Sequence, residues 1–198
     1  MIVIFLVSAI FLYFGPSFFR WLFGRSGSSV VGASRCLSDR VDPYVLESLE
    51  FNSNVKFNPA PEDDQTLNIV HFVGNGHVGL ETSPDSPIYI KTGKVVSSPV
   101  PFHPVVSVVT DENGEAAGHL QEASVLQFTS GLGHKIQCVP LASGGTLEIA
   151  HQFYAHQVIP TLLVQSIKIT NPTNHDVTVS VSRGGISKWQ TSVIFTTK

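Results

Sequence analysis

Eight histidines and fifteen acidic residues are the groups in this chain best suited to chemistry, and their spacing decides which chemistry is open to them. His151 and His156 are five apart, which on a strand places them on opposite faces and prevents joint chelation of one ion without a bulge. His71 and His77 share a parity, but Gly74-Asn75-Gly76 between them is a tight-turn signal that spoils a simple strand geometry. Glycoside hydrolysis would want two carboxylates framing a cleft. Glu62, Asp63 and Asp64 are neighbours in a polar loop and read as solvated, while Glu122 and Glu148 fall in expected strands with no evident partner. The sequence has no Gly-x-Ser-x-Gly nucleophile elbow and no P-loop, and Gly74-Asn75-Gly76 followed by a strand is the wrong context for cradling phosphate. These patterns predict no catalytic residue, no metal site and no cofactor.

The elements that would position such groups are mostly strands. In Thr146–Ser182 the side chains sort by parity: Leu147, Ile149, His151 and Phe153 share a face, as do Leu163, Gln165, Ile167 and Ile169, and then Val177, Val179 and Val181. Asn171-Pro172-Thr173-Asn174 breaks the second run, because proline lacks an N–H and fixes φ while asparagine tolerates turn geometry. The runs on either side of it are expected to pair as a hairpin, with the run from Thr146 adding a third strand. Upstream, Thr66 to Val73 predicts a strand, Gly74-Asn75-Gly76 a hairpin turn, and Val78-Gly79-Leu80, Ile88 to Lys91 and Val105 to Val109 further strands. His119 to Phe128 fits strand and helix templates comparably well. One short helix of one or two turns is expected after Asp42-Pro43, an N-cap followed by a proline at the first helical position.

Composition agrees with an all-β class. The 198 residues are 42% hydrophobic, with 16 glycines and 12 prolines scattered between apolar runs, which suits many turns around one core. A net charge of −3 with 12 Lys plus Arg offers no basic stripe, and nucleic acid is excluded as an expected partner. The fold class predicted is mainly β, an antiparallel sandwich, with an amino-terminal hydrophobic helix.

That amino-terminal segment, residues 1–23, carries no charge before Arg20. It lies between the length of a signal-peptide core and that of a spanning helix and is read as a signal-anchor helix, with a cleaved signal peptide as the alternative. Residues 24–35, rich in Gly and Ser, read as a flexible tether, and residues 36–198 as the β domain. Arg20 and Arg25 after the apolar run would leave the remainder in the cytosol. Cys36 and Cys138 argue the other way, as an even pair able to close a long loop in an oxidising lumen; two separate buried thiols remain the alternative.

Taken in order, Gly74-Asn75-Gly76-His77-Val78-Gly79, Gln121-Glu122-Ala123, His134-Lys135-Ile136-Gln137-Cys138, Phe153-Tyr154-Ala155-His156 and Ile167-Lys168-Ile169-Thr170-Asn171-Pro172-Thr173 resemble the lumenal amino-terminal part of an uncharacterised animal family. These are the KIAA-type single-pass membrane proteins with domain of unknown function 2152. The resemblance implies a secretory-pathway membrane protein of the endoplasmic reticulum or Golgi, held to the membrane through residues 1–23, with no established activity and an unidentified protein partner. Members of that family are longer, so the resemblance also implies an incomplete, super-sandwich-like domain truncated at its carboxy end. A weaker likeness links Asn75-Gly76-His77-Val78-Gly79 to the amino-terminal sandwich of disaccharide phosphorylases, departing at the aromatic position. It implies a fold and no activity. Two functions are therefore expected in competition: a non-enzymatic domain for protein interaction or maturation, and a carbohydrate-binding or carbohydrate-active module lacking its catalytic domain. The second would present Tyr89, Phe102, Phe153 or Tyr154 as an exposed aromatic platform.

Overall fold

A computed structural model describes residues 27–60, 69–83, 85–94, 96–110 and 120–185, with side chains from residue 32 onward. The expected anchor at residues 1–23, the acidic loop at 62–64 and the strand-like residues 193–195 lie outside the described residues. Among those described, no helix is long and apolar enough to cross a membrane.

The centre of the molecule is a five-stranded antiparallel sheet in the order β1-β7-β8-β9-β10, formed by β1 (Ser53–Asn58), β7 (Gln121–Gln127), β8 (Leu132–Pro140), β9 (Thr146–Ala155) and β10 (Leu163–Thr170). Strand β9 follows the parity expected of it. Leu147, Ile149, His151 and Phe153 are buried and their neighbours only half-buried, as an alternating strand between two layers requires. Of the segment that fitted both templates, His119 to Phe128, the part Gln121–Gln127 is strand β7.

One face of this sheet is covered by helix α1 (Gly27–Leu49). Here the structure corrects two expectations, because residues 27–35 of the supposed tether are helical and the short helix after Asp42 is only the end of a longer one. The cause is tertiary. Ala33, Leu37 and Val41 recur every four residues and bury against Val55, Ala123, Val125, Ile136 and Cys138, and that burial outweighs the weak helical preference of Gly and Ser. Pro43 stands inside the helix on its exposed side, where no packing is disturbed. The helix ends in a Schellman motif: Phe51 N–H donates to Ser48 O at 3.1 Å and Asn52 N–H to Glu47 O at 3.1 Å.

The other face meets two smaller pieces. A four-stranded sheet, β2-β3-β4-β5, is built from Phe72–Gly74, Val78–Glu81, Ile88–Lys91 and Ser97–Val100. Its Val73 and Leu80 pack with Val105, Leu126 and Phe153. Beside it lies a two-stranded ribbon of β6 (His103–Thr110) and β11 (Val179–Gly185), whose Val108 packs on Val139, Leu141, Leu147 and Ile149. The layers approach most closely at Gly133, where a Cβ would come within 2.8 Å of both Val73 and Thr82 side chains. The result is an antiparallel, sandwich-like β fold with a helix on its back.

Strand β11 is a third correction. It was expected to return beside β10, yet it pairs with β6, Val179 opposite Thr110 and Val181 opposite Val108. Val177 and Val179 are half-buried across the sandwich, against the cluster that holds Ile149, whereas Val181, expected on the same buried face, is 64% exposed. Alternation tells which face is apolar and does not tell which strand lies alongside. The Asn171-Pro172 turn forms as expected, with Thr173 N–H bonded to Asn171 Oδ1 at 3.0 Å. Strand β2 is also shorter than expected, starting at Phe72.

Candidate functional site

The disulfide comes first because it fixes the scaffold. Cys36 on α1 is bonded to Cys138 on β8 across 102 residues, with their Cα atoms 6.1 Å apart. The open alternative of two thiols is thereby excluded, and the helix is tied covalently to the centre of the sheet.

On the opposite face, register places polar residues side by side across four strands. Lys56, Ser124, Lys135 and His151 are successive cross-strand partners, and so are Asn58, Glu122 and Gln137 in the next row. Directly opposed residues on antiparallel strands share a face. The amino-terminal half of this polar area is roofed by His71 and the end of β3 rather than by apolar side chains, leaving a cleft of about 280 Å³ lined by Lys56, Asn58, His71, Thr82, Glu122 and Lys135 among others.

Glu122 is the carboxylate of the cleft. Lys135 Nζ lies 3.2 Å from it, and Asn58 and Gln137 each donate an amide N–H at 3.0 Å. Burial alone would push its carboxyl up, but the bonds from Asn58, Lys135 and Gln137 and the charge of Lys135 together hold it below the ordinary carboxylate value. It is thus ionised at neutral pH and unsuited to act as a general acid. Glu81 also borders the cleft, but its cross-strand partner is the exposed Phe72, which puts its side chain on the outer face of β3.

Two histidines are buried here with opposite outcomes. His151 Nδ1 accepts a bond from Gln165 Nε2 at 3.0 Å. That same Gln165 amide donates to Val106 O and accepts from Val106 N–H, both at 2.8 Å, so one side chain on β10 satisfies the backbone of β6 across the sandwich. His71, 4% exposed, uses Nε2 to contact Asn54 Oδ1 at 2.8 Å. A carboxamide oxygen only accepts, so Nε2 carries the proton and Nδ1 is a bare lone pair. Among the described residues nothing reaches that lone pair. Burial, helped by Lys56, pushes His71 down to about 4. Burial also lowers His151 to about 4, with Lys135 adding to the effect and Glu122 opposing it.

The aromatic platform does not assemble. Phe153 is 1% exposed and belongs to the core, stacked on His151 at 6.1 Å. Tyr154, the next residue on β9, lies on the helix side. Tyr89 meets Phe72 edge-on at 5.5 Å on the outer face of the four-stranded sheet, while Phe102 lines a separate apolar groove with Ile88 and Ile90. His71 and His77, like His151 and His156, are not gathered, and among the described residues no three of His, Cys, Asp and Glu could hold a metal ion. Sequence reasoning did not find the cleft. Its signals were a glutamine, Gln165, at a core parity of β10 and a run of polar residues at matching parities in β1, β7 and β8.

The model of a family described as "Uncharacterized conserved protein (DUF2152)" matches residues 1–197. The chain belongs to the DUF2152 family. Searches of the curated proteins and of the solved structures found no match. Within this DUF2152 chain, Gly74-Asn75-Gly76-His77-Val78 acquires a physical reason: Asn75 Oδ1 accepts the N–H groups of His77 and Val78 at 3.0 Å, and its Nδ2 donates to His156 O at 2.8 Å and Pro160 O at 3.1 Å. One side chain closes the β2–β3 turn and docks it on the β9–β10 loop.

Proposed function

We propose that this chain is a non-enzymatic protein-interaction domain facing the lumen of the secretory pathway, in the endoplasmic reticulum or Golgi, and the amino-terminal part of a longer membrane-anchored protein of the KIAA type. The observation that carries the interaction reading is Phe51. It sits at the position after the helix end that glycine normally fills, with φ 57°, and is 82% exposed. A bulky residue in the left-handed region is strained, and among the described residues its ring packs on no core cluster. Leu46 and Leu49 on the last turn of α1 are also exposed, as is Phe128, whose N–H is bonded to Asn52 O next to Phe51. Together they form an apolar rim of the type that marks contact sites. The Cys36–Cys138 bond supports an oxidising compartment. The fully bonded carboxylate of Glu122 supports a role other than acid–base catalysis. The competing carbohydrate module has lost the aromatic platform it was to be built on.

Site-specific photocrosslinking from position 49 in intact microsomes tests this reading, with protease protection of a carboxy-terminal tag reporting the compartment. A discrete crosslinked species that disappears in Phe51→Asp is expected, with the tag protected until detergent is added. Digestion without detergent, or a crosslinking pattern indifferent to Phe51→Asp in a protein of unchanged stability, would remove it.

A further inference from the structure

The five-stranded sheet ends in two unlike edges. At one, β1 is six residues long with Ser53, Asn54 and Val55 buried, and Pro59 follows it directly. At the other, β10 runs for eight residues with no proline, no glycine and one charge, Lys168, in unbroken register with β9. The other edges among the described residues carry the features that keep a strand from pairing with a neighbour. Strand β2 spans three residues, β5 contains Pro99, and β11 has an irregular register between Arg183 and Gly185. Strand β6 contains Pro104, and its Val106 N–H and C=O are taken by Gln165.

The backbone groups of β10 fall into two sets. His156 N–H donates to Leu162 O at 2.9 Å, and in an antiparallel ladder the exchanging pairs recur at every second residue from there, so Val164, Ser166, Lys168 and Thr170 bond to β9. Leu163, Gln165, Ile167 and Ile169 therefore turn their N–H and C=O groups away from β9. None of those groups has a backbone partner among the described residues, and Ser166, Lys168 and Ile169 beside them are exposed. A long, regular row of free donors and acceptors is a template for a further strand.

The sequence of β10 is complementary to itself. A two-fold axis at Ser166 sets Ser166 opposite its own copy, Gln165 opposite Ile167, Leu163 opposite Ile169 and Val164 opposite Lys168, and under that pairing the outward N–H and C=O groups of the two strands meet each other. Ile169, 38% exposed, gains an apolar neighbour in Leu163, and the stem of Lys168 lies along Val164. The two Lys168 residues stand about 14 Å apart, four residues at about 3.4 Å each, so no like charges are opposed. We propose that two copies of this chain join through β10, antiparallel and edge to edge, so that one sheet runs through both. Because β1 closes the far edge, the assembly stops at two and does not grow into a fibre. The Phe51 rim lies next to β1, at the opposite end of the sheet, and neither surface depends on the other.

The test uses the full chain with single cysteines introduced along β10, oxidised in microsomes, and the mass of the purified chain measured in detergent across a range of concentrations. Cys36 and Cys138 are the only cysteines and are bonded to each other, so an introduced thiol has no partner within its own chain. Ser166→Cys should give a disulfide-linked dimer, because that position meets its own copy at a non-hydrogen-bonded pair, where Cα atoms lie about 4.5 Å apart. Lys168→Cys alone should not link, its copies being beyond disulfide reach, whereas Val164→Cys mixed with Lys168→Cys should. Ile169→Pro removes one outward donor from each copy and leaves the β9 ladder untouched, so the dimer should weaken about tenfold or more. Ser166→Lys, at an exposed position that the fold does not need, sets like charges face to face and should abolish the dimer even if Ile169→Pro fails to fold. A monomer at every concentration, equal linking at positions 166 and 168, a dimer indifferent to Ser166→Lys, or Ser166→Cys linked to a different protein in place of its own copy would each overturn the assignment.

Discussion

The two faces of the five-stranded sheet are made from the same strands and, where β1, β7 and β8 run together, have opposite chemistry. Residues of one parity in β1, β7 and β8, among them Val55, Val125, Ile136 and Cys138, form a dry surface sealed by α1 and the disulfide. Residues of the other parity, Lys56, Ser124, Glu122, Lys135 and Gln137, present charge and amides to a cleft. A fold that needed only stability would have buried both faces with apolar side chains. The back is sealed throughout, while the front is packed on the two smaller sheets at Leu126, Phe153, Leu147 and Ile149 and polar beside them, so changes on the two sides should read out differently.

Breaking the back should have the largest effect. Converting Cys36 and Cys138 to serine opens a loop of 102 residues, and the chain-entropy treatment assigns about 4.7 kcal/mol to a closure of that size. Urea denaturation of the double variant beside the wild type measures it. A loss under about 1 kcal/mol would mean that packing alone holds the helix. Next comes Leu37→Ala, which empties a fully packed position under the helix and should cost about 2–4 kcal/mol.

The front should yield less stability and more pH dependence. Gln165→Leu removes the clamp on the Val106 backbone and the donor to His151, for a loss of about 1–3 kcal/mol, visible as faster amide exchange at Val106. His71 and His151 titrate near 4 in the folded protein against 6.5 when free. Between those values the unfolded chain binds protons that the native state refuses, so the stability they provide is complete above about pH 6.5 and drains away as pH falls through about 4. His134 on the helix side is lowered as well, mainly by burial, and adds in the same direction. Denaturation midpoints across that range should fall, and more gently in His151→Gln. An acid limb of equal slope in that variant would place the titrating groups elsewhere.

How much of this could be read beforehand follows from which information is local. The parity of Leu147, Ile149, His151 and Phe153 is local, and β9 formed as read. The cysteine pair was visible, but its bonding depends on α1 lying over β8, and α1 itself was hidden because Gly27, Gly32 and the serines around them have weak helical preference until Ala33, Leu37 and Val41 meet a sheet. Val177 and Val179 announced a buried face and were assigned the wrong neighbour, since alternation is the same for a hairpin and for a strand crossing the sandwich. The cleft was illegible for a related reason. Its residues come from β1, β7, β8 and the segment around His71, far apart in sequence, and only the register sets Lys56 and Lys135 on either side of Ser124.

The smallest effect separates packing from recognition most cleanly. Phe51 occupies the left-handed position that closes the Schellman motif of α1, where glycine carries no Cβ penalty. Phe51→Gly should therefore leave the fold intact and stabilise it by up to about 1 kcal/mol, the strain relieved less the greater freedom of glycine in the unfolded chain. A ring kept for packing would give the reverse sign, because its loss would expose apolar neighbours. If Phe51→Gly gains stability while abolishing the crosslink from position 49, the strain is retained for what the ring touches outside the domain. If it loses stability by more than about 1 kcal/mol, the ring belongs to the back of the sheet after all, and the division between a holding face and a recognising rim has been drawn in the wrong place.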